Sequence, residues 1–250
     1  MLKSLITTVT TIMMLSPMVQ ANMRAPRIVE YAPSYSLSRP PGDMLTVQNE
    51  TLNIDCDYVS CDVQAVYKIL SAKPAELEFA FILPTDTPVE ARVAGSLQLA
   101  TVTPNNKHMW EPTFSSTGKQ PLFQAVFRGN VSIGTNIITI KYQQPLMIRE
   151  YDYGYFSSGR SVESFTYQLG PLKQWQLDKD FSLEINLSSL RKRPERDGGW
   201  SLRKSRSIDC KLAGQVVEND SDNLNLTVKL GKKFPDNLIC KIGDSDLLIY

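Results

Sequence analysis

The sequence predicts an all-β protein: an antiparallel β-sandwich, built as one large or two small sandwich subdomains. Three observations point there. Apolar residues recur at every second position over short stretches, the period of a strand with one buried face. Glycine, proline and asparagine punctuate these stretches where turns are needed. No stretch carries the 3.6-residue periodicity of a long amphipathic helix.

In chain order, residues 1–21 read as a cleavable secretory signal. Lys3 supplies the charged start, an apolar run extends from Leu5 to Leu15, Pro17 breaks it, and Val19-Gln20-Ala21 offers a cleavage site. The apolar run falls well short of the roughly 20 residues a membrane span needs. No later stretch is long enough, so the chain is not expected to span a membrane once the signal is removed. Residues 22–45, rich in Pro, Ser, Tyr and Arg, read as an extended arm or linker that can lie across the body.

Residues 46–146 read as the first half of the sandwich. Leu52, Ile54 and Cys56 alternate with polar neighbours, as do Val63, Ala65, Tyr67 and Ile69, which predicts a hairpin with a cysteine at each end of its loop. Phe79 to Leu83 is a continuous apolar run stopped by Pro84. Val89–Leu99, Leu122–Phe127 and Ile137–Tyr142 continue the strand pattern. Residues 147–160 break it with an aromatic loop or joint. Residues 161–250 form the second half, through Phe165, Tyr167 and Leu169, then Phe181 to Leu187, then Leu224 to Leu230.

Four cysteines in an exported chain read as two disulfides, and spacing favours Cys56–Cys61 and Cys210–Cys240. The setting is then periplasmic or secreted, since disulfides persist where the surroundings oxidise. The cysteines lack paired C-x-x-C spacing and the chain has one histidine, so no zinc site is expected.

Several segments occur in a suggestive order: Glu50 to Ile54, Val63 to Tyr67, Phe79 to Pro84, Gly134 to Leu146, Tyr167 to Leu169, and Trp175. The chain resembles uncharacterised bacterial exported domains, in which an extended valine-x-valine-x-tyrosine strand precedes a phenylalanine-x-leucine-proline strand end. That resemblance implies a β architecture and a bacterial periplasmic or secreted setting. It brings no catalytic residues.

Charge excludes one class of partner. Removal of Lys3 leaves 26 basic residues against 26 acidic, without the basic excess that nucleic acid requires. Catalytic signatures are absent. His108 is the sole histidine, and no Gly-x-Ser-x-Gly elbow accompanies it. Glu150, Asp152 and Glu163 are the carboxylates nearest the aromatic loop, and a glycosidase would need two of them. Asp55-x-Asp57 resembles a fragment of a calcium loop but lacks its glycine and terminal glutamate. No phosphate loop or dinucleotide fingerprint occurs, so no metal or cofactor is expected.

Two surface segments remain as candidate ligand sites. One is Tyr151, Asp152, Tyr153 and Tyr155, whose amphipathic rings suit a sugar face or a protein contact. The other is Arg191, Lys192, Arg193, Arg196 and Trp200, a basic patch suited to an anionic partner. The expected function is a non-enzymatic envelope or secreted module that binds a protein or an anionic cell-surface polymer. The alternatives are a secreted glycan hydrolase using paired carboxylates and an assembly factor that pairs an edge strand with its partner.

Overall fold

The computed structural model describes residues 28–29, 32–38, 45–110, 119–151, 161–189, 206–212, 215–219, 223–229, 235–244 and 247–248; of 28–29, 106–108, 110, 206, 215–219, 229 and 244 it describes the backbone alone. The predicted signal segment lies outside these residues. Among the described residues the fold is all-β, with one 3-10 turn at Gly170–Gln174. No helix among them is long and apolar enough to cross a membrane.

Two short strands come first, β1 (Ile28–Val29) and β2 (Ser34–Tyr35). A long hairpin follows, β3 (Leu45–Cys56) and β4 (Ser60–Ser71). Then come β5 (Ala75–Leu83), the small hairpin of β6 (Glu90–Val93) and β7 (Ser96–Gln98), and the edge strand β8 (Thr101–Trp110). Next are β9 (Gln120–Val131), β10 (Gly134–Pro145), β11 (Met147–Glu150) and β12 (Ser161–Gln168). The second half adds β13 (Gln176–Ser188), β14 (Arg206–Leu212), β15 (Gln215–Asn219), β16 (Asn223–Lys229) and β17 (Asn237–Asp244). His108 falls within β8.

The strands form three sheets. A broad sheet runs β16-β13-β3-β4-β10-β6-β7, a second runs β1-β11-β12-β17-β14-β15 with β2 added on β12, and a third is β5-β9-β8. The second and third sheets lie side by side on one face of the broad sheet. Tyr167 of β12 meets Tyr67 of β4, and Phe81 of β5 meets the ring of Tyr142 of β10 edge-on at 4.9 Å. The apolar alternation explains this layering. Leu52, Ile54, Val63, Ala65, Ile69, Ile138, Ile140, Leu183, Ile185 and Leu187 all bury one face of the broad sheet and leave polar residues on the other.

Not every pairing is antiparallel, as the sequence had suggested. β13 runs parallel to β3, and β2 runs parallel to β12. A hairpin forces antiparallel neighbours, but β13 arrives from another sheet through the 3-10 turn, so its direction is free of that constraint. Strands from both halves of the chain therefore share the broad sheet.

Both disulfides bridge strands that pair directly, Cys56–Cys61 across the β3–β4 hairpin and Cys210–Cys240 between β14 and β17. Asp57 closes the hairpin tip: its Oδ1 accepts the backbone N–H groups of Val59 and Ser60, each at 2.8 Å. That carboxylate is a turn former, the common use of aspartate at such a position.

Where the third sheet approaches the broad one, Gly129 admits Val93. A Cβ built on Gly129 would stand 2.5 Å from a Val93 methyl. Gly129→Ala is expected to destabilise the protein by about 2 kcal/mol, through overpacking between two sheets that cannot separate locally. A urea midpoint unchanged from wild type would refute this close contact.

Residues 32–38 fill the seam between the second and third sheets. β2 pairs with β12 beyond the end of β11, Ser36 N–H donates to Gln168 O at 2.7 Å, and Ser38 N–H donates to Ala80 O of β5 at 2.9 Å. One stretch thus ties an edge of each sheet. Ala32, Ser34, Ser36 and Leu37 are buried, so the stretch expected as an arm or linker is a structural part of the layer where it is described.

Candidate functional site

Among the described residues, two places gather polar groups: a closed cluster beneath the seam, and an open hollow on the far face of the broad sheet.

The closed cluster begins with a bulge. β3 carries an extra residue between Val47 and Asn49 relative to β4. The inward phase therefore shifts from Leu45 and Val47 to Glu50, Leu52 and Ile54, and a glutamate enters the core. Tyr167 Oη donates to Glu50 Oε1 at 2.9 Å, and Tyr167 Oη lies 2.7 Å from Tyr67 Oη. Tyr67 Oη also accepts the backbone N–H of Leu37 at 3.0 Å. Each hydroxyl has one proton, so the direction follows: Leu37 N–H to Tyr67, Tyr67 to Tyr167, Tyr167 to Glu50. A second branch runs from Tyr142 to Ser34 Oγ at 2.8 Å, then from Ser34 to Gln144 Oε1 at 2.5 Å. Gln144 Nε2 ends it on Thr166 O at 3.0 Å.

Burial pushes the Glu50 carboxyl up to about 7, against the lowering effect of the Tyr67 and Tyr167 hydroxyls. Burial likewise raises the phenols of Tyr67, Tyr142 and Tyr167, so all three stay neutral at physiological pH. A perturbed carboxyl is often a functional group. This one is fully enclosed, and its hydrogen bonds lead to the seam strand, not to solvent. Its role is to hold residues 32–38.

The open hollow lies on the polar face of the broad sheet, with a volume of about 1020 Å³. Register places six side chains in one row across six strands: Asn225, Asn186, Asn53, Gln64, Lys141 and Glu90. At a strand spacing of about 4.8 Å the row is roughly 24 Å long. A neighbouring row, two residues along each strand, holds Asn223, Ser188, Asp55, Asp62 and Gln143. The connection after β5, at Thr87 and Pro88, makes one wall.

Lateral bonds set some of these groups in place. Asn186 Nδ2 donates to Asn53 Oδ1 at 2.9 Å, Ser188 Oγ to Asp55 Oδ1 at 2.9 Å, and Gln143 Nε2 to Asp62 Oδ1 at 3.3 Å. Among the described residues, Gln64 and Asn225 make no side-chain hydrogen bond and keep all their capacity for a ligand. Arg92, at 2.8 Å, and more distantly Lys141, hold the Glu90 carboxyl below its usual range. The apolar residues beneath, Ile54, Val63, Tyr142 and Leu187, are buried. Among the described residues the hollow therefore offers amides, hydroxyls, carboxylates and one ammonium, and no exposed aromatic face.

Of the candidate ligand-site residues read from the sequence, Tyr151 is described. Tyr151 follows β11 of the second sheet, 40% exposed, with the Arg149 guanidinium 5.0 Å from its ring centre. Asp152, Tyr153, Tyr155, Arg191, Lys192, Arg193, Arg196 and Trp200 fall outside the described residues. Of the carboxylates considered for glycosidase chemistry, Glu163 is buried and accepts from Ser161 Oγ at 2.6 Å.

Sequence reasoning passed over Asn53, Gln64, Lys141, Asn186 and Asn225. A signal was present: Asn53-x-Asp55, Asp62-x-Gln64, Asn186-x-Ser188 and Asn223-x-Asn225 each sit two apart and out of phase with buried apolar residues. What was missing was the strand order that lines them up.

No protein-family model and no curated protein matches the chain. Solved structures that resemble it distantly include the following two. A Legionella pneumophila protein described as a candidate nutrient binding protein aligns at 10% identity over 83% of this chain and 70% of that one, with a TM-score of 0.45. Yeast LTA4 hydrolase aligns at 11% identity over 85% of this chain and 32% of that one, with a TM-score of 0.38. At these values the functional reading rests on the residues of the site.

Proposed function

We propose that the protein is an exported, non-enzymatic binding module whose working surface is the amide-lined hollow of the broad sheet. The observation that supports this most directly is the row of Asn225, Asn186, Asn53 and Gln64, one carboxamide on each of four adjacent strands. A carboxamide both donates and accepts, so such a row meets a ligand's hydrogen-bonding groups without asking for net charge. Side chains that are already bonded laterally lose less freedom when a ligand binds. The two disulfides fit an oxidising compartment.

The hydrolase alternative finds less support here. Asp55 and Asp62 are both exposed, and a general acid for glycoside cleavage is ordinarily raised by a partly apolar setting. The basic segment Arg191–Arg196 with Trp200 remains a proposed second contact for an anionic partner.

The test is co-sedimentation of the purified protein with insoluble envelope polymer from the source cell. The triple variant Asn53→Ala, Gln64→Ala, Asn186→Ala is expected to bind at least about tenfold more weakly. Its stability should stay within about 0.5 kcal/mol of wild type, as for other surface substitutions. Undiminished sedimentation of the triple variant would remove the hollow from the proposal.

A further inference from the structure

From the chemistry of the same hollow, and resting on the reading above, we infer that its ligand is a neutral, hydroxyl-rich polysaccharide lying across the strands along the carboxamide row.

Charge narrows the class first. The described lining holds three carboxylates, Asp55, Asp62 and Glu90, and one ammonium, Lys141; Glu90 is already paired with Arg92, so the negative charge left to consider is that of Asp55 and Asp62. Asp55 and Asp62 are direct cross-strand partners, an arrangement that repels like charge and that an anionic polymer would aggravate. Polyanions are therefore turned away. A polycation would meet these carboxylates, but Lys141 stands within the main row between Gln64 and Glu90. A ligand following the row would bring its own positive charge against it. A neutral chain meets neither obstacle.

Hydrogen-bond capacity narrows the class further. A sugar hydroxyl is a donor and an acceptor at one atom, and a carboxamide presents both functions a few ångströms apart. The Asn186–Asn53 bond uses one amide hydrogen and one carbonyl, which leaves the pair an acceptor on Asn186 and donors on Asn53. Gln64 then adds both functions on the next strand. The row repeats at the strand spacing of about 4.8 Å, so it suits a ligand whose groups also repeat.

The hollow's length and openness select a polymer over a small sugar. It extends across six strands and is not enclosed, so a monosaccharide would touch a small part of it and stay wet on most sides. The described lining offers hydrogen bonds and no exposed ring, so each sugar unit contributes little through it. Affinity then comes from several units bound together.

Affinity electrophoresis through gels holding one polymer at a time tests this class. The gels carry neutral glucans, mannans or galactans, alginate as the polyanion, or chitosan oligomers as the polycation, each at 0.05 and 0.5 M sodium chloride. Retardation by at least one neutral polymer is expected, changing less than twofold with salt, because no ion pairs form. Asn53→Ala with Asn186→Ala should weaken it about tenfold, whereas Arg128→Ala, an exposed residue of the third sheet outside the hollow, should change it less than twofold. Retardation by alginate or chitosan alone, lost at high salt, would overturn the inference, and so would no retardation by any neutral polymer. In both cases the envelope co-sedimentation of wild type against the triple variant still judges the hollow itself, so failure of the ligand class and failure of the site remain separate results.

Discussion

Leu37→Asp is expected to destabilise the protein by about 5 kcal/mol, the largest effect of any single replacement considered, and to leave little folded material at 37 °C. Leu37 is completely buried in the seam. Its main chain is held on both sides: the N–H donates to Tyr67 Oη at 3.0 Å, and the carbonyl accepts Trp175 Nε1–H at 2.9 Å. The side chain therefore cannot swing out to hydrate a charge without breaking both bonds. Leu37→Met, similar in volume and apolar, should cost less than about 1.5 kcal/mol. Urea unfolding of the two variants beside wild type measures the difference. Equal midpoints for all three would mean that residues 32–38 do not close the layer.

Glu50→Gln is expected to abolish a pH dependence of about 3 kcal/mol. Burial disfavours the charge of the Glu50 carboxyl and pushes it up to about 7 in the folded protein, against its ordinary value of 4.5 when unfolded. Between these values the unfolded chain holds fewer protons than the folded one, so stability falls as pH rises. The stabilising contribution is complete below about 4.5 and is lost through about 7. That interval corresponds to roughly 3 kcal/mol at 1.36 kcal/mol per unit. The facing groups, Tyr67, Tyr142 and Tyr167, stay neutral over this range and do not mask it. Glutamine keeps an acceptor for the Tyr167 hydroxyl and cannot ionise. The wild-type-minus-variant difference in unfolding free energy, followed from pH 4.5 to 8, isolates the residue. A flat difference would show that Glu50 is not enclosed as described.

The strands were legible because the buried face writes itself into alternation. Leu52, Ile54 and Cys56, then Val63 to Ile69, then Phe181 to Leu187 each mark a core face directly. The cysteine pairing was legible too, since a four-residue loop holds Cys56 close to Cys61. The parallel neighbour was hidden. Nothing local in Ser182 to Ser188 announces that it lies beside Asn49 to Asp55, and the carboxamide row exists only through that pairing. Glu50 was hidden for a different reason. Alternation forward from Leu45 and Val47 turns it to solvent, alternation back from Leu52 and Ile54 turns it inward, and only the bulge decides between them. The seam reads as linker because Pro, Ser and Tyr carry it, with Leu37 its one large aliphatic between Ala32 and Ser38.

The placement of residues 32–38 has a consequence for biogenesis. Leu37 and the indole that caps it are 138 residues apart, so a chain delivered N-terminus first makes this strand long before Gln168 and Trp175 exist. The seam's bonds to Tyr67 and Ala80 can close early, whereas those to Gln168 and Trp175 close only across most of the chain. Such long-range closure carries a high entropic barrier and makes for slow folding. Until β12 arrives, the pairing edge of β2 stands open, which makes the half-made protein a natural client for chaperones that shield unpaired strands.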